Sequence, residues 1–94
     1  MRFEWDEEKN RRNLAKHRIS FQTAKLVFED PNVHIQEDRV VEGEERWKAL
    51  GLIGGILVVL VVHTRSEEGG EDVVRIISAR KAAPAERSAY DEAY

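Results

Sequence analysis

One stretch constrains this chain more than any other. Leu50–Val62 is the longest apolar run, thirteen residues, and it is cut by Gly54-Gly55. A spanning helix needs roughly 20 apolar residues, so the run is too short to cross a membrane. Two β-compatible segments around a glycine pair predict a hairpin, because glycine accepts the positive φ angles of a tight turn. With a two-residue loop, Ile53 faces Ile56, Arg46 faces His63, Trp47 faces Val62 and Lys48 faces Val61. Opposed residues share a sheet face. One face then carries Arg46, Lys48, Leu50, Leu52, Leu57, Val59, Val61, His63 and Arg65. The other carries Trp47, Ala49, Gly51, Ile53, Ile56, Val58, Leu60, Val62 and Thr64. The second is almost wholly apolar and is expected to face the core. The first is apolar near the turn and cationic at its far end.

Arg2–Trp5 alternates polar and apolar residues, as a short strand does. Asp6 then reads as an N-cap, with Glu7 and Glu8 at the positive end of a helix over 7–17. That helix is mostly polar and must lean on the rest of the domain. Ser20 is a second N-cap, followed by Phe21, Ala24, Val27 and Phe28 on one helical face, and Asp30-Pro31 stops it. Val33–Asp38 reads as a strand or an extended loop. Ser66–Asp72 reads as an acidic, glycine-containing loop, and Val73–Ala79 as a strand. Pro84, with Glu86 behind it, opens a helix over 84–93. The order is β-α-α-β-β-β-α, with a possible extra strand near 33–38. It predicts an α+β fold, an antiparallel sheet with its helices against one face. At 94 residues, positions 1–94 form a single domain, with no room for a second core.

Fifteen basic and eighteen acidic residues give a net charge of −3, which excludes a uniformly basic nucleic-acid binder. The charges nevertheless fall in blocks. Residues 46–66 hold three basic groups and no acid, whereas 26–45 hold one basic group and seven acids. Local field steers a charged ligand more than the total does. With no cysteine, disulfides and thiolate metal sites are excluded. Met1–Trp5 leads straight into Asp6-Glu7-Glu8, unlike a signal peptide, so a soluble cytoplasmic chain without membrane contact is expected.

Two cationic clusters stand out. Arg46, Lys48, His63 and Arg65 suit phosphate binding and proton transfer, since Arg offers a planar fork and His titrates near neutrality. Arg75, Arg80, Lys81 and Arg87, with Tyr90 beyond them, suit a second phosphate contact. Both also fit ordinary solvated surface. If 73–79 pairs antiparallel with 56–64, Arg80 sits near the glycine turn, on the order of 15–20 Å from Arg46 and His63. His17 suits a helix end, and His34 lies in the uncertain segment. No metal-ligand spacing, phosphate-cradling glycine loop or nucleophile elbow occurs, so neither metal nor cofactor is expected. The acids between Glu37 and Glu45 read as a solvated loop or a contact for a basic partner.

Phe3-Glu4-Trp5-Asp6, Lys9-x-x-x-Asn13, Lys16-His17, Ile19-Ser20-Phe21, Val27-Phe28-x-Asp30-Pro31 and Arg46-Trp47-x-x-Leu50-Gly51 occur in order. His63-Thr64, Arg75-Ile76-Ile77-Ser78-Ala79-Arg80-Lys81-Ala82 and Glu86-Arg87-x-x-Tyr90 follow. Over nearly its whole length the chain resembles the BrnT-type toxins of bacterial type II toxin–antitoxin pairs. The resemblance implies a RelE-like fold and a ribonuclease that cleaves RNA without metal and arrests translation. It implies a BrnA-type antitoxin with a ribbon-helix-helix part, and contact with operator DNA only through that antitoxin. Arg80 and Tyr90 match the strand-end Arg and helix Tyr of RelE-like nucleases. The Arg such enzymes carry just after the hairpin turn is missing, since Ile56, Leu57 and Val58 stand there. The expected substitutes are Arg65, His63 and Arg46. In that scheme Arg65 and Arg80 stabilise the phosphorane, His63 or Lys81 moves protons, and Arg46, Lys48 and Arg75 hold the RNA backbone. A non-catalytic module acting as co-repressor with its antitoxin is the alternative.

Overall fold

The computed structural model describes residues 1–92. Its elements are β1 (Arg2–Glu4), α1 (Glu7–His17), α2 (Phe21–Ala24), a 3-10 turn (Lys25–Glu29), β2 (His34–Val41), β3 (Glu44–Ile53), β4 (Leu57–Glu68), β5 (Glu71–Lys81) and α3 (Pro84–Glu92). Residue 93, the expected end of the last helix, lies outside the described residues. The strands form one sheet in the order β1-β5-β4-β3-β2. The hairpins are antiparallel, but β1 runs parallel to β5. The sheet is therefore mixed rather than wholly antiparallel.

Polar chemistry docks α1. The Asp6 carboxylate accepts from the Glu8 and Lys9 N–H groups at 2.8 and 3.1 Å. Those bonds, the Lys9 one foremost, hold its pKa below the usual carboxylate range. Asn10 and Asn13 are the buried residues of this helix. The Asn10 side chain accepts from the Phe21 N–H at 2.8 Å. Asn13 donates to the Ile19 and Ala79 carbonyls at 2.9 and 2.8 Å and accepts from the Ala79 N–H at 3.1 Å. Its amide thus serves the β5 backbone as a neighbouring strand would. A helix this polar is fixed by two asparagines rather than by an apolar stripe.

Ser20 caps α2 through the Thr23 N–H at 3.1 Å. Phe21, Ala24 and Val27 are fully buried, and they pack on Ala49, Val59, Val61, Ile76 and Ala79 of the sheet. The chain tightens into the 3-10 turn and leaves at Asp30-Pro31. Gly51 lets that turn lie against β3, because a Cβ there would stand 2.8 Å from Val27 Cγ1 and 3.0 Å from the Val27 carbonyl oxygen.

The segment read as strand or extended loop is a strand, residues 34–41 at the sheet edge. With the mixed sheet counted first, four features differ from expectation. The acidic segment 66–72 is no loop. β4 and β5 run through it to a Gly69-Gly70 turn, and Arg2 binds both Glu68 and Glu71 at 3.0 and 3.2 Å. That cation offsets two like charges placed opposite each other. The third difference is α3, which packs on the other side of the sheet, Tyr90 joining Leu50, Val58 and Leu60. Finally, the central hairpin is displaced by one residue. Gly54 and Gly55 take positive φ as expected, and the Ile56 N–H donates to the Ile53 carbonyl. The ladder, however, pairs Ile53 with Leu57, leaving Ile56 outside it and 78% exposed. A one-residue slip exchanges every face relationship between two strands. His63 therefore faces Trp47, not Arg46.

Candidate functional site

The slip sorts the expected residues onto two sides. On the face of α1 and α2, His63 joins Val59 and Val61 and is fully buried. Its ring packs edge-on to Phe28 at 4.9 Å. Its Nδ1 lies 3.3 Å from the Val61 carbonyl, and its Nε2 has no hydrogen-bond partner. Burial pushes its pKa down to about 4, with the Val61 carbonyl opposing and the Arg65 charge assisting. A neutral, sealed imidazole cannot reach a polymer substrate. Arg65 is exposed and lies over the Trp47 ring at 5.8 Å, on this same side. Lys81 is opposite Val59, and its exposed side chain leaves the sheet away from Arg80.

The α3 face gathers the others. Rows of paired residues cross the sheet here. One runs His34, Leu50, Leu60, Arg80, and the next runs Gln36, Lys48, Val62, Ser78. Strand alternation puts Arg46 and Arg75 on the same side, farther from the glycine turn. Arg80 donates two hydrogen bonds to Glu86 at 2.8 and 3.0 Å and a third to the Lys81 carbonyl at 3.1 Å. Glu86 also accepts from the Ala83 N–H at 2.7 Å, closing the first turn of α3. The Arg80 bonds, with lesser help from the Lys48 charge, hold the Glu86 carboxyl below its usual pKa. Arg80 is thus fixed on one carboxylate, and Lys48 stands on the same face. Lys48 also lies 3.9 Å from Asp38, and Arg75 binds Glu44 at 2.5 Å. Arg46 Nε has no hydrogen-bond partner and stands 4.0 Å from Glu44.

Tyr90 closes the apolar end of this face. Its hydroxyl donates to Asp30 at 2.5 Å, and Asp30 also accepts from the Leu52 and Asn32 N–H groups at 2.8 and 2.9 Å. Burial raises the Asp30 pKa, but these hydrogen bonds outweigh it and the net shift is downward. The His34 ring lies 5.7 Å from the Tyr90 ring. Tyr90 thereby pins α3 to the 3-10 turn. Three participants escaped the sequence reading: His34, Asp30 and Glu86. Only Glu86 carried a usable signal, its place three residues after the helix cap.

A family model for the ribonuclease toxin BrnT of type II toxin–antitoxin systems matches residues 5–86. The chain belongs to the BrnT toxin family. The crystal structure of the Brucella abortus ribonuclease toxin BrnT agrees with this fold at a TM-score of 0.68. Identity is 30%, covering 88% of this chain and 97% of that one. No curated protein sequence matches. BrnT membership places this chain among ribonuclease toxins and implies an antitoxin partner and RNA targets. Among the described residues no cluster of His, Asp or Glu could hold a metal ion, and no helix is long and apolar enough to cross a membrane.

Proposed function

We propose that this BrnT-family chain is a metal-independent endoribonuclease whose substrate lies on the α3 face of a RelE-like sheet. The observation that carries this reading is the gathering of Lys48, Arg80, Arg46 and Arg75 on one face, with Arg80 held in place by Glu86. In the reaction a ribose 2′-OH attacks the adjacent phosphorus and the bond to the 5′-oxygen breaks. The 2′-proton is lost to a base and a proton is supplied to the leaving oxygen. The products are a cyclic phosphate and a 5′-OH. Arg80 and Lys48 stabilise the charge that builds on the phosphorane. Arg46 and Arg75 hold the flanking backbone. With His63 sealed in the core, the proton-moving role passes to His34, the imidazole of this face.

Cleavage of messenger RNA in the cytoplasm would inhibit translation, and a BrnA-type ribbon-helix-helix antitoxin would neutralise it and carry the pair to operator DNA. Incubating the pure protein with labelled RNA in a chelator tests the chemistry. The reading expects cleavage, with a 2′,3′-cyclic end. Activity abolished by the chelator would assign a metal-dependent nuclease instead. One observation favours the co-repressor alternative: Arg80, Arg75 and Lys48 each already face a carboxylate. No cleavage, with antitoxin binding intact, would establish that alternative.

A further inference from the structure

A second cationic surface lies along α1 at the edge of β5 and shares no cation with the site above. Lys9, Arg12 and Lys16 recur at spacings of three and four, so they line one flank of α1, with His17 beside them. Among the described residues, Arg12 alone of the four has a carboxylate partner within 4 Å, Glu8 at 3.6 Å. Together with Ile77 and Ser78 they border an open groove of about 290 Å³. Its floor is irregular strand. Between Val62 and His63 the β4–β5 register shifts, and Ile77 is passed over in the ladder. On the outer side, β1 pairs with β5 only as far as Arg75. Beyond that point the edge is served by the Asn13 amide at Ala79.

We infer that this groove holds an extended, acidic peptide segment of the protein partner. Three observations select that occupant. A strand edge offers backbone groups that only another extended chain can match in register. Four ionisable bases along one flank call for carboxylates. The Ile77 side chain and the lysine stems favour aliphatic residues between those carboxylates, a need that an RNA backbone does not meet. The inference rests on the toxin–antitoxin reading only for the partner's identity. It separates anchoring, along α1 at the edge of β5, from the chemistry on the α3 face.

The probe is a capped, fluorescein-labelled octapeptide of alternating Glu and Val, titrated into the folded full-length chain at low salt. Anisotropy should report binding, and backbone amide shifts should centre on Ile77 and Ser78. The double variant Lys9→Glu/Lys16→Glu should bind at least about tenfold more weakly, since like charges then face each other. Lys9→Gln/Lys16→Gln should fall between, and it replaces the reversal if that variant unfolds. Arg39→Glu, an exposed cation outside both surfaces, should bind as the parent does. Equal weakening by Arg39→Glu, or shifts centred on Lys48 and Arg80, overturns the inference. So does a single-stranded RNA oligomer that shifts Ile77 and Ser78 while the peptide does not. RNA cleavage assayed in parallel keeps the two readings apart. Lost cleavage with retained peptide binding counts against the nuclease alone, and the reverse counts against the groove alone.

Discussion

The two faces of the sheet use the same strands for opposite purposes. Ala49, Val59, Val61 and Ile76 alternate along the chain with Lys48, Leu50, Leu60 and Arg75. The first set is sealed under α1 and α2, while the second is only partly covered, by α3. On the sealed face even a histidine is stripped of solvent. On the other, cations stand close enough to share carboxylates. The difference teaches that residue type does not decide the role of a cation or an imidazole here. Strand parity does, and parity was set by one extra residue at the hairpin turn and by the register shift that passes over Ile77 in β5.

The sealed face should break first when its polar fastening is cut. Asn13→Ala leaves the Ala79 N–H and carbonyl without their partner and should cost about 3 kcal/mol in denaturant unfolding. A loss under 0.5 kcal/mol would mean that α1 is held by something other than its asparagines. His63 should give a pH dependence of similar size. Its folded pKa of about 4 lies below the ordinary 6.5, so between those values the unfolded chain binds the extra proton. Stability contributed by the neutral ring is complete above pH 6.5 and declines toward pH 4, by roughly 3 kcal/mol in all. Unfolding titrations of the parent and of His63→Leu should diverge across that window. Parallel curves would show that His63 is not buried neutral.

Smaller effects sharpen the contrast. Gly51→Ala forces a methyl onto Val27 and should cost about 2 kcal/mol, read as a lowered thermal midpoint. Unchanged stability would mean that the 3-10 turn moves aside freely. On the other face, Tyr90→Phe removes one hydrogen bond to Asp30 and should cost only about 1 kcal/mol. It should also raise the Asp30 pKa, measurable by carboxyl NMR titration, because the remaining hydrogen bonds come from two backbone N–H groups.

Much of the architecture was legible. Asp6, Ser20 and Pro84 mark their helix starts because capping is local chemistry. The glycine pair marks the hairpin because positive φ is a local demand. Register was not legible, since nothing in Gly54-Gly55-Ile56 says whether Ile56 belongs to the strand or to the turn. That uncertainty of one residue moved His63 and Arg65 to the wrong side. The acidic stretch 66–72 hid a hairpin because the compensating cation, Arg2, lies at the other end of the chain. Of the candidate cations, Arg46, Lys48, Arg75 and Arg80, read from sequence as parts of two separate clusters, fall on one face. The carboxylates they meet, and His34, depend on sheet order and α3 placement, which no local pattern encodes.

The sorting of Arg65 from Arg80 tests the account most directly. Both are arginines on adjacent strands, and the sequence alone gave both the same role. Cleavage of labelled RNA in chelator should be compared for Arg80→Ala and Arg65→Ala, each confirmed folded by its thermal midpoint. The account predicts that Arg80→Ala loses about a hundredfold in rate, as removal of a transition-state contact does. Arg65→Ala, exposed over Trp47 on the side away from α3, should stay within about threefold of the parent. Equal losses in the two variants, or the larger loss at Arg65, would contradict it.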